Sequence, residues 1–149
     1  VHADVASHSG NRYLLDRWRK QATMYLFATK SESVFFAGDT ALREDSTALV
    51  DRELEGRQLD VALLPIGYAP SWKVGFRRGH LTSMDALTLF ERLGARHLIP
   101  YHWGTFNHVT ASAHDAIREL RQHVKTHSRG SDVRILDPGE FIDVASAAS

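Results

Sequence analysis

Val34-Phe-Phe-Ala-Gly-Asp-Thr40 contains four residues that read as a buried strand, stopped by Gly38 and the carboxylate of Asp39. A strand end is a rigid platform for a functional group, and glycine lets the chain turn and other atoms approach the acid. Ile99-Pro-Tyr-His-Trp-Gly-Thr105 and Val5-Ala-Ser-His-Ser-Gly10 repeat the arrangement. Each brings a histidine, His102 or His8, to the end of an apolar run beside a glycine. The three segments together point to a metal site assembled from strand ends.

Outward from this stretch, β-prone and helical patterns alternate. Residues 1–6 are strand-like, and a polar loop rich in arginine and aromatics follows from Ser7 to Lys20. Thr23-Met-Tyr-Leu-Phe-Ala28 and residues 34–37 form an expected antiparallel pair joined through residues 29–33. A helix is expected over 43–54, closed by Gly56, and then a buried strand over 60–66. Thr82-Ser-Met-Asp85 has the form of a capping box. Leu87, Phe90 and Leu93 share one face of the helix it opens, and Gly94 supplies the stop. His97-Leu-Ile-Pro-Tyr101 reads as a strand. A helix over 113–125 follows, its apolar face formed by Ile117, Leu120 and Val124. Residues 133–136 read as a last strand and Asp137-Pro-Gly-Glu140 as a turn, with the tail 145–149 frayed. Strands alternating with helices predict an α/β layered fold in a single domain, 1–149.

Composition narrows the function. The 18 basic and 18 acidic residues cancel, so no electrostatic footprint for nucleic acid or an anionic membrane exists. No apolar run approaches the length of a membrane span, and a soluble, cytoplasmic protein is expected. Cysteine is absent, which removes disulfides and thiolate ligands together. Any metal must therefore be held by nitrogen and oxygen, and the nine histidines are suited to that. No Gly-x-Gly-x-x-Gly or Gly-x-x-x-x-Gly-Lys-Ser/Thr run is present, which argues against a nucleotide-binding sheet.

Each candidate residue also has a plainer reading. Asp39 could cap the next helix or accept turn hydrogen bonds, His102 could be a satisfied structural histidine, and His8 an ordinary loop residue. His80 lies just before the capped helix and after Arg77 and Arg78, whose charges and the helix dipole favour neutral imidazole. It could equally be a helix-entry residue. His97 and His102 are five positions apart on a strand, so they face opposite sides and are not expected to share an ion. His108, His114, His123 and His127 are expected at the surface.

Phe-Phe-Ala-Gly-Asp39-Thr, Ala62-Leu-Leu-Pro-Ile-Gly67, Gly79-His80 with its capped helix, and Ile-Pro-Tyr-His102-Trp-Gly-Thr-Phe106 together resemble the metallo-β-lactamase superfamily. More narrowly, they resemble its branch of N-acyl-phosphatidylethanolamine phospholipase D and ascorbate-phosphate lactonases. The resemblance implies the second half of a four-layer αββα sandwich with a dinuclear metal site. It implies that His8 completes the first metal site, that Asp39 bridges both metals, and that His102 ends the second. It implies that His80 stands near the substrate and polarises the scissile group or binds its oxyanion. A carboxylate can offer two oxygens to two cations, and neutral imidazole suits zinc, the first expectation, as well as manganese or iron.

The family's His-x-His-x-Asp-His signature is missing from the chain, leaving three of seven implied ligands, so these residues alone should bind metal weakly. Val1 opens inside a strand-like stretch, and the expectation is a segment lost upstream or supplied by another chain. The predicted activity is hydrolysis of a phosphodiester, lactone or related ester by water activated between two divalent ions. Asp39 and His80 carry the chemistry, and Trp72, Phe76 and Arg77 are candidates to shape the pocket. The alternative is a catalytically incomplete half-domain that acts as an assembly module, as a homo-oligomer or with a complementing half.

Overall fold

The structure, a computed structural model of the 149-residue chain, describes residues 1–8, 22–67, 79–107 and 111–144. The polar loop beyond His8, the pocket candidates Trp72, Phe76 and Arg77, the neighbouring Arg78, His108 and the tail 145–149 lie outside the described residues.

Five strands form one sheet in chain order: β1 (His2–Val5), β2 (Thr23–Ala28), β3 (Ser33–Phe36), β4 (Val61–Pro65) and β5 (His97–Tyr101). The first three are antiparallel neighbours, with Tyr25 opposite Phe36, while β3, β4 and β5 run parallel through Phe35, Ala62 and Leu98. The two parallel crossings carry α1 (Ala48–Leu54) and α2 (Ser83–Leu93), and α3 (Asp115–Val124) follows β5.

Side-chain alternation decides which face of the sheet is buried. Met24, Leu26, Phe35, Ala62, Leu64 and Leu98 share one face and one core with Leu49, Val50 and Leu54 of α1, with Leu87, Leu89 and Phe90 of α2, and with Ile117 and Leu120 of α3. Full burial of a leucine or phenylalanine there contributes about 1.5–3 kcal/mol each. The register puts Val5, Tyr25, Phe27, Val34, Phe36, Leu63 and Ile99 on the other face. Phe27 is 46% exposed, Val5 43% and Tyr25 37%. Among the described residues this is one α layer on one β sheet, with the sheet's second face apolar and half open.

The box at α2 forms as its sequence predicts: Thr82 Oγ1 accepts from the Asp85 amide at 3.1 Å, and Asp85 Oδ2 accepts from the Thr82 amide at 3.1 Å. Gly94 ends the helix with φ +59°. Two expectations are corrected. The helix expected from residue 43 begins at Ala48, because the buried Ser46 hydroxyl accepts from the Arg43 amide at 2.8 Å and holds a turn there instead. The strand expected over 133–136 reduces to a single bridge between Val133 and Leu98, with Arg134 N donating to the Leu98 carbonyl at 2.8 Å.

Candidate metal centre

Four segments end together at the carboxyl edge of β3, β4 and β5. After β3 the chain turns through Gly38 at φ +64°, where a Cβ would stand 2.5 Å from the Thr23 carbonyl oxygen, so no larger residue fits. This turn delivers Asp39. β5 delivers His102, which takes φ +68°, a left-handed conformation that histidine adopts more readily than most side chains but still at a cost of about 1 kcal/mol. His8 follows β1, tied by Ser7 N to Thr40 Oγ1 at 2.9 Å, and His80 precedes α2.

The three histidines surround a single oxygen. His80 Nε2 lies 3.4 Å, His8 Nε2 3.5 Å and His102 Nε2 3.6 Å from Asp39 Oδ2. The His8 and His80 rings meet edge to face at 4.9 Å between centroids. Two glycines leave space for the rings: a Cβ on Gly79 would stand 3.0 Å from His8 Nδ1, and one on Gly67 would stand 3.3 Å from His102 Nδ1.

Hydrogen bonding sets the orientation of the groups. His8 Nδ1 donates to the Gly79 carbonyl at 2.7 Å, which in the neutral ring leaves the Nε2 lone pair aimed at the carboxylate. The Tyr101 hydroxyl donates to the Gly38 carbonyl, and its ring stacks on Phe36 at 5.0 Å. Tyr101 thus fastens the turn bearing Asp39 to the strand bearing His102. Burial and the Asp39 charge push the Tyr101 hydroxyl well above its ordinary pKa, so it stays a donor. Burial alone would raise the Asp39 carboxyl, but the His80 imidazole, with His8 and His102, outweighs it and holds the acid below its usual 3.8.

The donor set fits a divalent cation. The nitrogen-to-oxygen separations exceed a normal hydrogen bond of about 2.7–3.2 Å. They match the roughly 3.4 Å between two ligand atoms that each bond one tetrahedral ion at about 2.1 Å. Asp39 Oδ1 is buried with no hydrogen-bond partner among the described residues, a cost that a cation would remove. His8, Asp39 and His80 each place one ligand atom within 4.8 Å of the others'.

His8, His80 and His102 all approach Asp39 Oδ2, but the group whose ligand atoms lie mutually within 4.8 Å is His8, Asp39 and His80; His102, expected as a ligand, stands outside it, and His80, expected beside the substrate, stands inside. His97 stands at the opposite end of β5. His127, expected at the surface, has a side chain only 14% exposed beside Glu91 at 3.1 Å. The sequence reading missed the Tyr101 and Gly79 contacts, and also a cavity of about 320 Å³ that opens on His80 and His102 and runs along Trp103, Phe106, Ala113 and Ala116. A tyrosine directly before the histidine and the small Ala113 and Ala116 were the only local signals for these features.

Comparison with known proteins bears on the family and the fold. Residues 1–103 match a family described as a β-lactamase superfamily domain. The mitochondrial N-acyl-phosphatidylethanolamine-hydrolyzing phospholipase D of Saccharomyces cerevisiae is 32% identical over 71% of the chain. A metal-dependent hydrolase of Deinococcus radiodurans is 35% identical over 76% of it. The chain spans only 22% and 41% of those two relatives. An isothiocyanate hydrolase from Delia radicum gut bacteria shares the fold over 93% of this chain and 52% of its own, with TM-score 0.63 at 20% identity. Igni18, a metallo hydrolase of Ignicoccus hospitalis, does so over 93% and 50%, with TM-score 0.55 at 22% identity.

Proposed function

Because the chain belongs to the metallo-β-lactamase superfamily, we propose that it forms part of a metal-dependent hydrolase whose cation site is built on Asp39. One observation carries this reading: three imidazole nitrogens stand 3.4–3.6 Å from one carboxylate oxygen while the other oxygen is buried and unsatisfied among the described residues. His8, Asp39 and His102 would hold the metal, with two ions, zinc first, once a segment carrying the missing ligands completes the domain; manganese or iron would accept the same donors. When bound, such ions supply Lewis acidity that makes water nucleophilic near neutral pH and polarises the bond it attacks.

The chain's own groups do the rest. Asp39 presents two oxygens on a turn that Gly38 and Tyr101 fix. The Gly79 carbonyl keeps the His8 ring from rotating, and the Tyr101 anchor keeps His102 near Asp39. His80, which also lines the cavity, donates a hydrogen bond to the substrate oxygen on which negative charge grows. The substrate class is a phosphodiester, lactone or related ester, and one relative is named for hydrolysing N-acyl-phosphatidylethanolamine. Among the described residues no helix is long and apolar enough to cross a membrane, and we place the activity in the cytoplasm.

The chain extended to the length of its relatives, loaded with Zn²⁺ and assayed on bis(p-nitrophenyl) phosphate and a p-nitrophenyl ester, tests the proposal. Asp39→Ala should lose bound metal and turnover together, while His80→Ala should keep the metal and lose about a hundredfold in kcat. Equal metal content in the wild type and Asp39→Ala would reject the site. Metal loss in His80→Ala would make His80 a ligand.

The open sheet face favours a second reading, in which this α/β unit serves mainly to pair with another sheet through Val5, Tyr25 and Phe27. A metal-free dimer on size exclusion would support it, and a monomer with tight stoichiometric metal would speak against it.

A further inference from the structure

We propose that the cavity beside His80 and His102 binds a neutral, apolar group of the substrate, an alkyl or aryl substituent next to the bond that is cleaved. The placement of that bond rests on the hydrolase reading above; the binding of the apolar group requires no metal.

The cavity is a built feature. Its two walls, residues 103–107 and 112–116, are laced together by Gly104 N donating to the Ala113 carbonyl at 2.9 Å and Ala113 N donating to Asn107 Oδ1 at 2.9 Å. Its volume of about 320 Å³ falls at the small end of the roughly 300–1,000 Å³ typical of ligand pockets, enough for one ring or a short chain. Most of the surface it offers is apolar, with Thr105, Asn107 and Ser112 adding uncharged polar groups. Trp103 uses its indole N–H on the Pro100 carbonyl at 3.3 Å, so the ring has only carbon left to present. Ala113 and Ala116 contribute methyl groups and leave the room itself. Phe106 stands at the mouth 86% exposed, an aromatic surface that an incoming apolar group would cover.

The titratable groups of the lining, His80 and His102, both lead to Asp39. None of the described lining residues is Lys, Arg, Asp or Glu, so a charged group entering the apolar part would lose water without gaining a counter-charge. The bound molecule is thereby oriented, with its reactive ester at the histidines and its apolar substituent along Trp103 and Ala116. Discrimination among esters then follows from apolar size, as in other pockets lined by carbon.

The probe for this site is N-phenyl-1-naphthylamine, whose fluorescence rises in apolar surroundings, titrated into the chain in EDTA and displaced by 1-naphthol or by 1-naphthyl phosphate. Saturable binding is expected, weakened about tenfold or more by Ala113→Phe and about threefold by Phe106→Ala, and unchanged by Tyr25→Lys on the open sheet face. 1-Naphthol should displace the probe at lower concentration than its phosphate. Phe106 is exposed enough for its variant to fold whatever happens to Ala113→Phe. Binding indifferent to Phe106→Ala, binding lost only in Tyr25→Lys, or tighter displacement by the phosphate would overturn the proposal. With EDTA present, failure of the metal reading leaves these outcomes unchanged, and failure of probe binding leaves metal content unchanged.

Discussion

Asp39 and Asp60 stand at opposite ends of the same two parallel strands and have opposite surroundings. Asp60, before β4, accepts from Ser33 N at 2.8 Å and Ser33 Oγ at 2.9 Å on one oxygen, and Arg96 Nε lies 3.3 Å from the other. Its own amide donates to Ser33 Oγ at 3.1 Å, closing the ring between β3 and β4. Asp39, after β3, has one oxygen with no partner among the described residues and the other facing three imidazole nitrogens at 3.4–3.6 Å. Groups that are fully paired hold a fold together, whereas a partly exposed acid with one oxygen unsatisfied among the described residues and the other shared by three imidazoles is arranged for something that is added.

The contrast breaks if either acid does the other's work. The largest effect expected is on metal: Asp39→Ala should weaken Zn²⁺ binding by about a hundredfold or more, read by chelator competition, with little change in Tm because the unpaired oxygen is removed along with the ligand. Asp60→Ala should behave in reverse, lowering stability by about 2 kcal/mol in urea unfolding through the partners it abandons, with Zn²⁺ affinity unchanged. Tyr101→Phe tests the strap between the two ligand-bearing strand ends. It should cost about 1 kcal/mol in stability and weaken Zn²⁺ several-fold, with an altered Co²⁺ absorption spectrum to separate positioning from general loosening.

The smallest effect concerns pH in the metal-free chain. The histidines hold the folded-state pKa of Asp39 below its ordinary 3.8, so its stabilising contribution is complete above that value and is lost as the pH falls through the lowered one. The stability gap between the wild type and Asp39→Asn should therefore narrow as the pH falls below the ordinary carboxylate value of 3.8. A gap that widens on acidification would show that the carboxyl is raised.

Much of this was legible in the sequence wherever the cause is local. The capping box of α2, the Gly94 stop, the period-two strands and the apolar runs ending in Gly38-Asp39 and Tyr101-His102 each carry their reason within a few residues. What was missed depends on distant partners. Gly79 holds His8 across 71 positions and Tyr101 holds Gly38 across 63, and no local pattern encodes such pairs. The late start of α1 was hidden for a related reason: residues 43–47 have acceptable helix propensity, but the Ser46 side chain competes for the backbone. Likewise, residues 133–136 are β-prone, yet Val133 alone finds a neighbour beside Leu98. The β-prone run of β2 marks a strand, but its sequence does not say what lies against Tyr25 and Phe27, 37% and 46% exposed.

The most direct test of the metal centre is a crystal of this chain grown with Zn²⁺ and measured at the zinc absorption edge. The account predicts an anomalous peak in bonding distance of Asp39 Oδ2 and of the Nε2 atom of His8, His102 or both. An ordered crystal with no peak at Asp39, or with zinc only at other histidines such as His123, would contradict it.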